Sequence, residues 1–484
     1  MLPLIKIPKE KTQSSSPPSH HVYVNTPDPS SWSSYLPTSW LTSSTPPPPP
    51  SAPSSSTPTS FRNPWPSWHK PTKQEIWASF AWGTDDDPSI ALALSHLHSF
   101  PPPATGSQQP NFDLTTKESP GYQAAQSLRI QSPDFSFPQD DSAKAKATWL
   151  GHASVLLQIP LPTQKRPFRC LFDPIFSSRA SPTPYVGPIR SYPPPCQIAD
   201  LPEDGIDAVI ISHNHYDHMD EFSLTLLWER YKQKGIRFFV GLGNGKTLKG
   251  FGIDEDRIVE MDWWDGVKLG EEIKVWCVPA QHNSSRVGMR KDEALWCGWV
   301  VETERGEGVK TKVFFAGDTG YQFHGDPKWP PVRDEEEETK EEQYLPCPAF
   351  REVRYKFGGM DLLILPVSVG ATFAYLKSFV PLPDSVSPFP RHSSGVMGAN
   401  HMPPWDAVRV LREMIEGKEG KTVAMGIHWG TFVTDPNEVI KTLGQLEYAC
   451  QRQGVRFGRG VEKGEGTDGK SLFVVVNHGE SICI

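Results

Sequence analysis

Short apolar runs of strand length, set off by glycine, proline and polar residues, recur through the chain from about Ala143 onward. Thr148 to Ile159, Phe168 to Phe172, Ala208 to Ile211, Phe238 to Leu242 and Ile273 to Val278 are the first five. Leu295 to Val301, Lys312 to Ala316, Leu362 to Val367, Val423 to Ile427 and Ser471 to Val476 complete the series. Strong helical patterns are fewer, chiefly Glu221 to Gln233 and Trp405 to Glu416. These strands, with helices between them, are enough for two sheets and predict a layered α/β protein.

Composition divides the 484 residues unevenly. The 50 prolines are about twice the usual share of ~5%, and many lie early in the chain. Residues 1–66 read as a disordered Pro/Ser-rich leader, too poor in apolar surface to offset its ordering entropy. That leader is expected to be dispensable for catalysis. Residues 67–142 read as a partly helical extension, with a short helix between Trp68 and Trp82, and 143–484 as the catalytic domain. The acidic run Asp334 to Glu342 and the Pro/Ser-rich Ser378 to Pro390 read as solvated surface loops inserted in that domain. His20 and His21, inside the leader, are expected to be incidental, and His96 and His98, two apart on a helix, face different ways.

A net charge of -8 argues against a nucleic-acid binder, which needs a basic face. Seven scattered cysteines without a Cys-x-x-Cys pair suggest neither a disulfide framework nor a thiolate metal site, and favour a reducing compartment. No apolar stretch reaches the ~20 residues needed to cross a bilayer, so membrane contact, if made, is peripheral.

Chemistry concentrates at His213-Asn214-His215-Tyr216-Asp217-His218, which follows directly on the apolar run Ile206 to Ile211. On a chain leaving a strand, His213 and His215 point the same way, and Asp217 and His218 fall where it turns into a helix. One imidazole pair and one mixed pair side by side suit two metal ions. Imidazole with carboxylate favours zinc, with iron or manganese next, over calcium or magnesium. Three later strand candidates end in a single ligand type: His282 after Ile273 to Val278, Asp318 after Lys312 to Ala316, and His428 after Val423 to Ile427. The seven side chains fill two sites if His213, His215 and His282 hold one ion, Asp217, His218 and His428 the other, and Asp318 bridges both.

This cluster followed by single His, Asp and His resembles the metallo-β-lactamase superfamily. Longer segments are similar, within it, to the N-acylphosphatidylethanolamine-hydrolysing phospholipase D family: Thr148 to Ser154, Asp173 to Ser181, Ile211 to His218, Phe315 to Tyr321, Ile427 to Phe432 and His478 to Ser481. The resemblance implies a four-layer αββα sandwich and two Zn2+ held by the seven residues. It also implies a homodimer whose groove accepts a membrane phospholipid, hydrolysed by solvent ionised between the two metals, with Asp217 and Asp318 in the catalytic machinery. His401, in a segment resembling the family's histidine before its penultimate helix, is a candidate proton donor or phosphate contact. His152 and Asp173, in tight turns, are candidates for orienting the ligands. After Leu365-Pro366-Val367 the chain departs from the family pattern, and Phe373, Tyr375, Leu376 and Phe379 there are candidate acyl-chain contacts. The resemblance thus points to an intracellular enzyme peripheral to a membrane. A different phosphodiester or a lactone as substrate is the alternative.

Overall fold

Along Ser154–Ile159 the residues Val155, Leu157 and Ile159 face one core while Leu156 faces another, and all four are fully buried. A strand covered on both faces reads as a continuous apolar run with no polar alternation, which is why these strands stand out in the sequence. The computed structural model describes residues 3–8, 19–22, 58–81, 88–95, 120–137, 145–161, 164, 166–305, 309–325, 344–369, 391–392, 394–433, 436–460 and 469–484.

Seven strands form one sheet, in the spatial order Ile258–Met261, Arg237–Gly241, Ala208–Ile210, Phe168–Phe172, Ser154–Ile159, Lys146–Gly151 and Ser481–Cys483. Nine form the other: Leu4–Ile7, Gly266–Leu269, Ile273–Val278, Gly298–Arg305, Val309–Phe315, Leu362–Pro366, Val423–Ile427, Leu472–Val475 and Arg456–Arg459. The sheets pack face to face, with Phe172 stacked on Phe315 at 4.4 Å between ring centres. Outside the first sheet lies the helix Glu221–Tyr231, whose Leu224, Leu227 and Trp228 share a core with Leu156, Leu171 and Val209. Outside the second lie Ala349–Phe357, Pro404–Met414 and Asn437–Gln453, which bury Val353, Leu411 and Leu443 among the other core residues. Helix, sheet, sheet, helix is the αββα sandwich.

Some elements differ from the sequence reading. Thr148 to Ile159 is a hairpin, not one strand, because Gly151 (φ 101°) and His152 (φ 51°) turn the chain between Lys146–Gly151 and Ser154–Ile159. The longest helix, Asn437–Gln453, is an addition, as are Ala349–Phe357 and Pro120–Ser127. Its Val439, Ile440, Leu443, Leu446 and Cys450 carry helical spacing, diluted in sequence by Thr442, Gly444 and Gln445.

Short stretches of the leader pair with other strands. Leu4–Ile7 adds an antiparallel edge strand to Gly266–Leu269, and His21–Val22 pairs with Ser60–Phe61. These stretches find partners because the sheet edge and Trp263 supply the apolar surface they lack themselves; His20 stacks on Trp263 at 4.1 Å. Residues 1–2, 9–18 and 23–57 of the leader, the acidic run Asp334 to Glu342, His96 and His98 fall outside the described residues. So do Phe373, Tyr375, Leu376 and Phe379.

Candidate metal centre

Parallel strands of a sandwich end on one side, and their C-terminal loops meet there. Ala208–Ile210 delivers His213, His215, Asp217 and His218; Ile273–Val278 delivers His282; Val309–Phe315 delivers Asp318; Val423–Ile427 delivers His428. Asp220 stops the first loop by capping the following helix, its carboxylate accepting from the Ser223 backbone N–H. All seven residues named from the sequence converge.

They form two groups. In one, His215 Nδ1 lies 2.9 Å from His213 Nε2 and 3.4 Å from His282 Nε2. In the other, Asp217 Oδ2 lies 3.5 Å from His218 Nε2 and 3.6 Å from His428 Nε2. Asp318 Oδ2 stands between them, 3.1 Å from both His218 Nε2 and His428 Nε2, 3.9 Å from His282 Nε2 and 4.0 Å from His213 Nε2.

Some of the nitrogen and oxygen atoms here lack the hydrogen bonds that burial demands. His218 Nε2, His428 Nε2, His401 Nδ1 and Asp318 Oδ1 are buried with no hydrogen-bond partner, a costly arrangement unless something else satisfies them. A cation between them does so, and the donor set of imidazole and carboxylate is the one a divalent transition metal takes. Electrostatics agree. Burial pushes the His213 and His282 imidazoles well below their ordinary pKa and so keeps them neutral, the form that ligates. Burial acts the same way on His218 and His428 and is the largest single effect, but Asp318 and Asp217, joined at His218 by Asp173, together outweigh it and raise both, His428 to about 9. The pocket attracts positive charge at that group.

Behind the candidate ligands stand Asp173 and His152. Asp173 Oδ2 lies 2.7 Å from His218 Nδ1 and accepts from Ser212 Oγ at 2.6 Å, while Oδ1 accepts from the Ser212 N–H. His152 comes closer in than an orienting role requires: its Nε2 is 2.9 Å from Asp217 Oδ2, grouping it with Asp217, His218 and His428. His152 (φ 51°), Asp173 (φ 36°) and His428 (φ 60°) all have left-handed backbone. Strain of this kind gathers at sites where surrounding structure holds it, here a hydrogen bond from the His428 N–H to the His152 carbonyl among others.

His401, named from the sequence, is also there, its Nδ1 3.6 Å from Asp318 Oδ2. Its segment is threaded over the Asp318 loop: Met402 N–H donates to Thr319, Tyr321 N–H to Gly398, and the Asn400 carbonyl lies 3.0 Å from His282 Nδ1.

Three contributors went unseen in the sequence. Asn63, from the supposed leader, donates from Nδ2 to the His282 carbonyl at 2.7 Å and accepts the His282 N–H at 3.2 Å. Arg286 donates to the Asn214 and Met219 carbonyls and lies over the Tyr216 ring, clamping the first ligand loop. Thr431 Oγ1 accepts the His152 N–H. Only Thr431, inside the Ile427 to Phe432 segment, had a signal in the sequence.

A cleft opens beside His152, Asp217 and His428, with Ala180, Pro188, Ile189, Val369, Phe432 and Val433 among its walls. Tyr185, Val186 and Ile189 nearby are exposed.

Residues 169–328 match the family model of the beta-lactamase superfamily domain. An uncharacterised protein of Mycobacterium tuberculosis is 32% identical over 326 residues, 67% of this chain and 68% of that one. The chain belongs to the metallo-β-lactamase superfamily, and it is a metal-dependent hydrolase. Within the superfamily it resembles the N-acyl-phosphatidylethanolamine-hydrolyzing phospholipase D 1 of Caenorhabditis elegans, 30% identical over 59% of this chain and 64% of that one. A mitochondrial protein of Saccharomyces cerevisiae with the same activity in its name is 25% identical over 64% of this chain and 52% of that one.

Proposed function

We propose that the chain is a zinc-dependent phosphodiesterase of phospholipase D type, hydrolysing N-acylphosphatidylethanolamine to N-acylethanolamine and phosphatidate. One observation carries this reading: two groups of candidate ligands meet at Asp318, and Asp217 and His428 of one group line a cleft with apolar walls. His213, His215 and His282 would hold one Zn2+, and Asp217, His218 and His428 the other. Two such ions would bring a shared water near neutral pKa and offset charge building on the phosphoryl oxygens. Zinc is favoured over a di-iron pair because His215 stands where redox members resembling this chain carry glutamate.

The chain's own groups do the rest. His401, whose pKa burial lowers to about 4, is neutral at working pH, so its ring N–H can hydrogen-bond a phosphoryl oxygen, while the proton for the leaving alkoxide would come from metal-bound water. Asp173 fixes the His218 ring, and His152 fixes the Asp217 carboxylate. The apolar walls exclude water and suit the glycerol and acyl portions of a lipid. Exposed Tyr185, Val186 and Ile189 suit contact with a membrane surface, and none of the described helices is long and apolar enough to cross one. The seven unpaired cysteines support an intracellular setting.

Incubation with labelled N-acylphosphatidylethanolamine in 18O-water tests the reading. Expected products are unlabelled N-acylethanolamine and phosphatidate carrying the heavy oxygen, since the bond from phosphorus to the ethanolamine oxygen breaks. Turnover of a lactone or cyclic phosphodiester with no N-acylethanolamine released would replace it with the alternative substrate class.

A further inference from the structure

Away from the metal centre, His20, His21 and Asp262 bring three more ligand atoms together. His20 Nε2 lies 2.8 Å from Asp262 Oδ1, and His21 Nε2 lies 3.1 Å from Asp262 Oδ2. Adjacent residues of a strand point to opposite faces, yet these two imidazoles converge because the chain turns at Ser19 and His20 before pairing as His21–Val22. The separations match those among ligand atoms of the metal centre, 2.9 Å for His213 with His215 and 3.1 Å for His218 with Asp318.

The trio is built and sheltered. His20 and Asp262 are each less than a tenth exposed. Asp262 Oδ1 accepts the Trp263 N–H, and the Asp262 N–H donates to Asp265, which fixes the carboxylate. His20 stacks on Trp263, and His21 meets Phe61 edge-on at 5.6 Å. Arg62 N–H donates to the His20 carbonyl. Hydrogen bonds from two neutral imidazoles to one carboxylate are the competing account of the same geometry.

We propose that His20, His21 and Asp262 form a structural binding site for a divalent transition metal, zinc first, which clips the N-terminal segment onto the catalytic fold. Two imidazole nitrogens and a carboxylate oxygen are ligands zinc takes at a tetrahedral site. The clip lies next to the catalytic centre along the chain. Phe61, paired with His21, is followed within two residues by Asn63, which holds His282. The leader is thus fastened at one point and orients a ligand at the next.

The test uses the full chain, stripped of metal, reloaded with Zn2+ alone and dialysed, with zinc per chain measured by mass spectrometry. A His20→Ala/His21→Ala variant and an Asp262→Ala variant are each expected to bind about one equivalent fewer than the unaltered chain. Equal zinc in all three overturns the proposal. Should either variant fail to fold, anomalous scattering at the zinc edge from crystals of the unaltered chain decides. A peak between His20, His21 and Asp262 supports the clip, and its absence at saturating zinc defeats it. Neither measurement involves a substrate, so the outcome is independent of the phosphodiesterase reading.

Discussion

Asp318 is the point on which the site closes: its Oδ2 lies within 4.0 Å of nitrogen atoms from five imidazoles on four segments of the chain. An amide at this position keeps the shape and removes the charge that raises His218 and His428. Asp318→Asn is expected to lower turnover by about three orders of magnitude, as loss of a key electrostatic group does, and to reduce metal content, read together by assay and elemental analysis. Full zinc in that variant would show that Asp318 is not a ligand. Asn63 acts one step back. Asn63→Ala removes both hydrogen bonds to the His282 backbone and is expected to weaken zinc binding by about 10-fold, the low end for an outer partner. Unchanged affinity in a chelator competition would assign Asn63 to packing alone.

Among elements, the threading of the His401 segment over the Asp318 loop depends on one glycine. A Cβ at Gly320 would sit 1.9 Å from the Ala399 carbonyl oxygen, far inside contact distance. Gly320→Ala must therefore push the segment off, taking His401 and the Asn400 carbonyl with it. The expected result is a fall in kcat of about 100- to 1,000-fold, the range for a lost hydrogen-bond donor to developing charge. Retained kcat would mean that His401 takes no part. The ligand loop itself was legible because four ligands fall in six residues after an apolar strand. The tight turn at His152 was legible too, but that its left-handed backbone aims the ring at Asp217 was not, since Asp217 is 65 positions away in the chain.

For the molecule as a whole, the leader and a buried histidine govern stability. Removing residues 1–60 strips an edge strand from Gly266–Leu269 and uncovers Asp262 and Trp263. Catalysis is expected to survive that deletion, but Tm to fall by several degrees, roughly what a loss of 1–2 kcal/mol does in a large domain; an unchanged Tm would show that the leader adds nothing to stability. His478 sets a pH limit. Buried between Trp149 and Tyr192, it is held to a pKa of about 3 by burial first and by the Arg190 charge second. The unfolded chain takes up this proton from about pH 6.5 downward, so the contribution is intact above that value. It is lost as pH falls towards 3, by up to about 1.4 kcal/mol per unit. Urea unfolding at pH 7.5 and 5.5 should show a smaller drop for His478→Gln than for the unaltered chain, and an equal drop would discount this group.

Legible in the sequence were the layered α/β class and the set of side chains that the fold brings together, the seven candidate ligands with His152 and Asp173 beside them. These are local matters: strands covered on both faces write themselves as apolar runs, and ligands sit at strand ends where loops begin. Tertiary structure alone decided that His152 joins Asp217, His218 and His428 and that Asn63 reaches His282 across 219 positions of chain. It also decided that His20 and His21, unremarkable in a serine- and proline-rich stretch, meet on Asp262. Such contacts carry no local pattern, because the surface that recruits each residue belongs to a different segment of the folded chain.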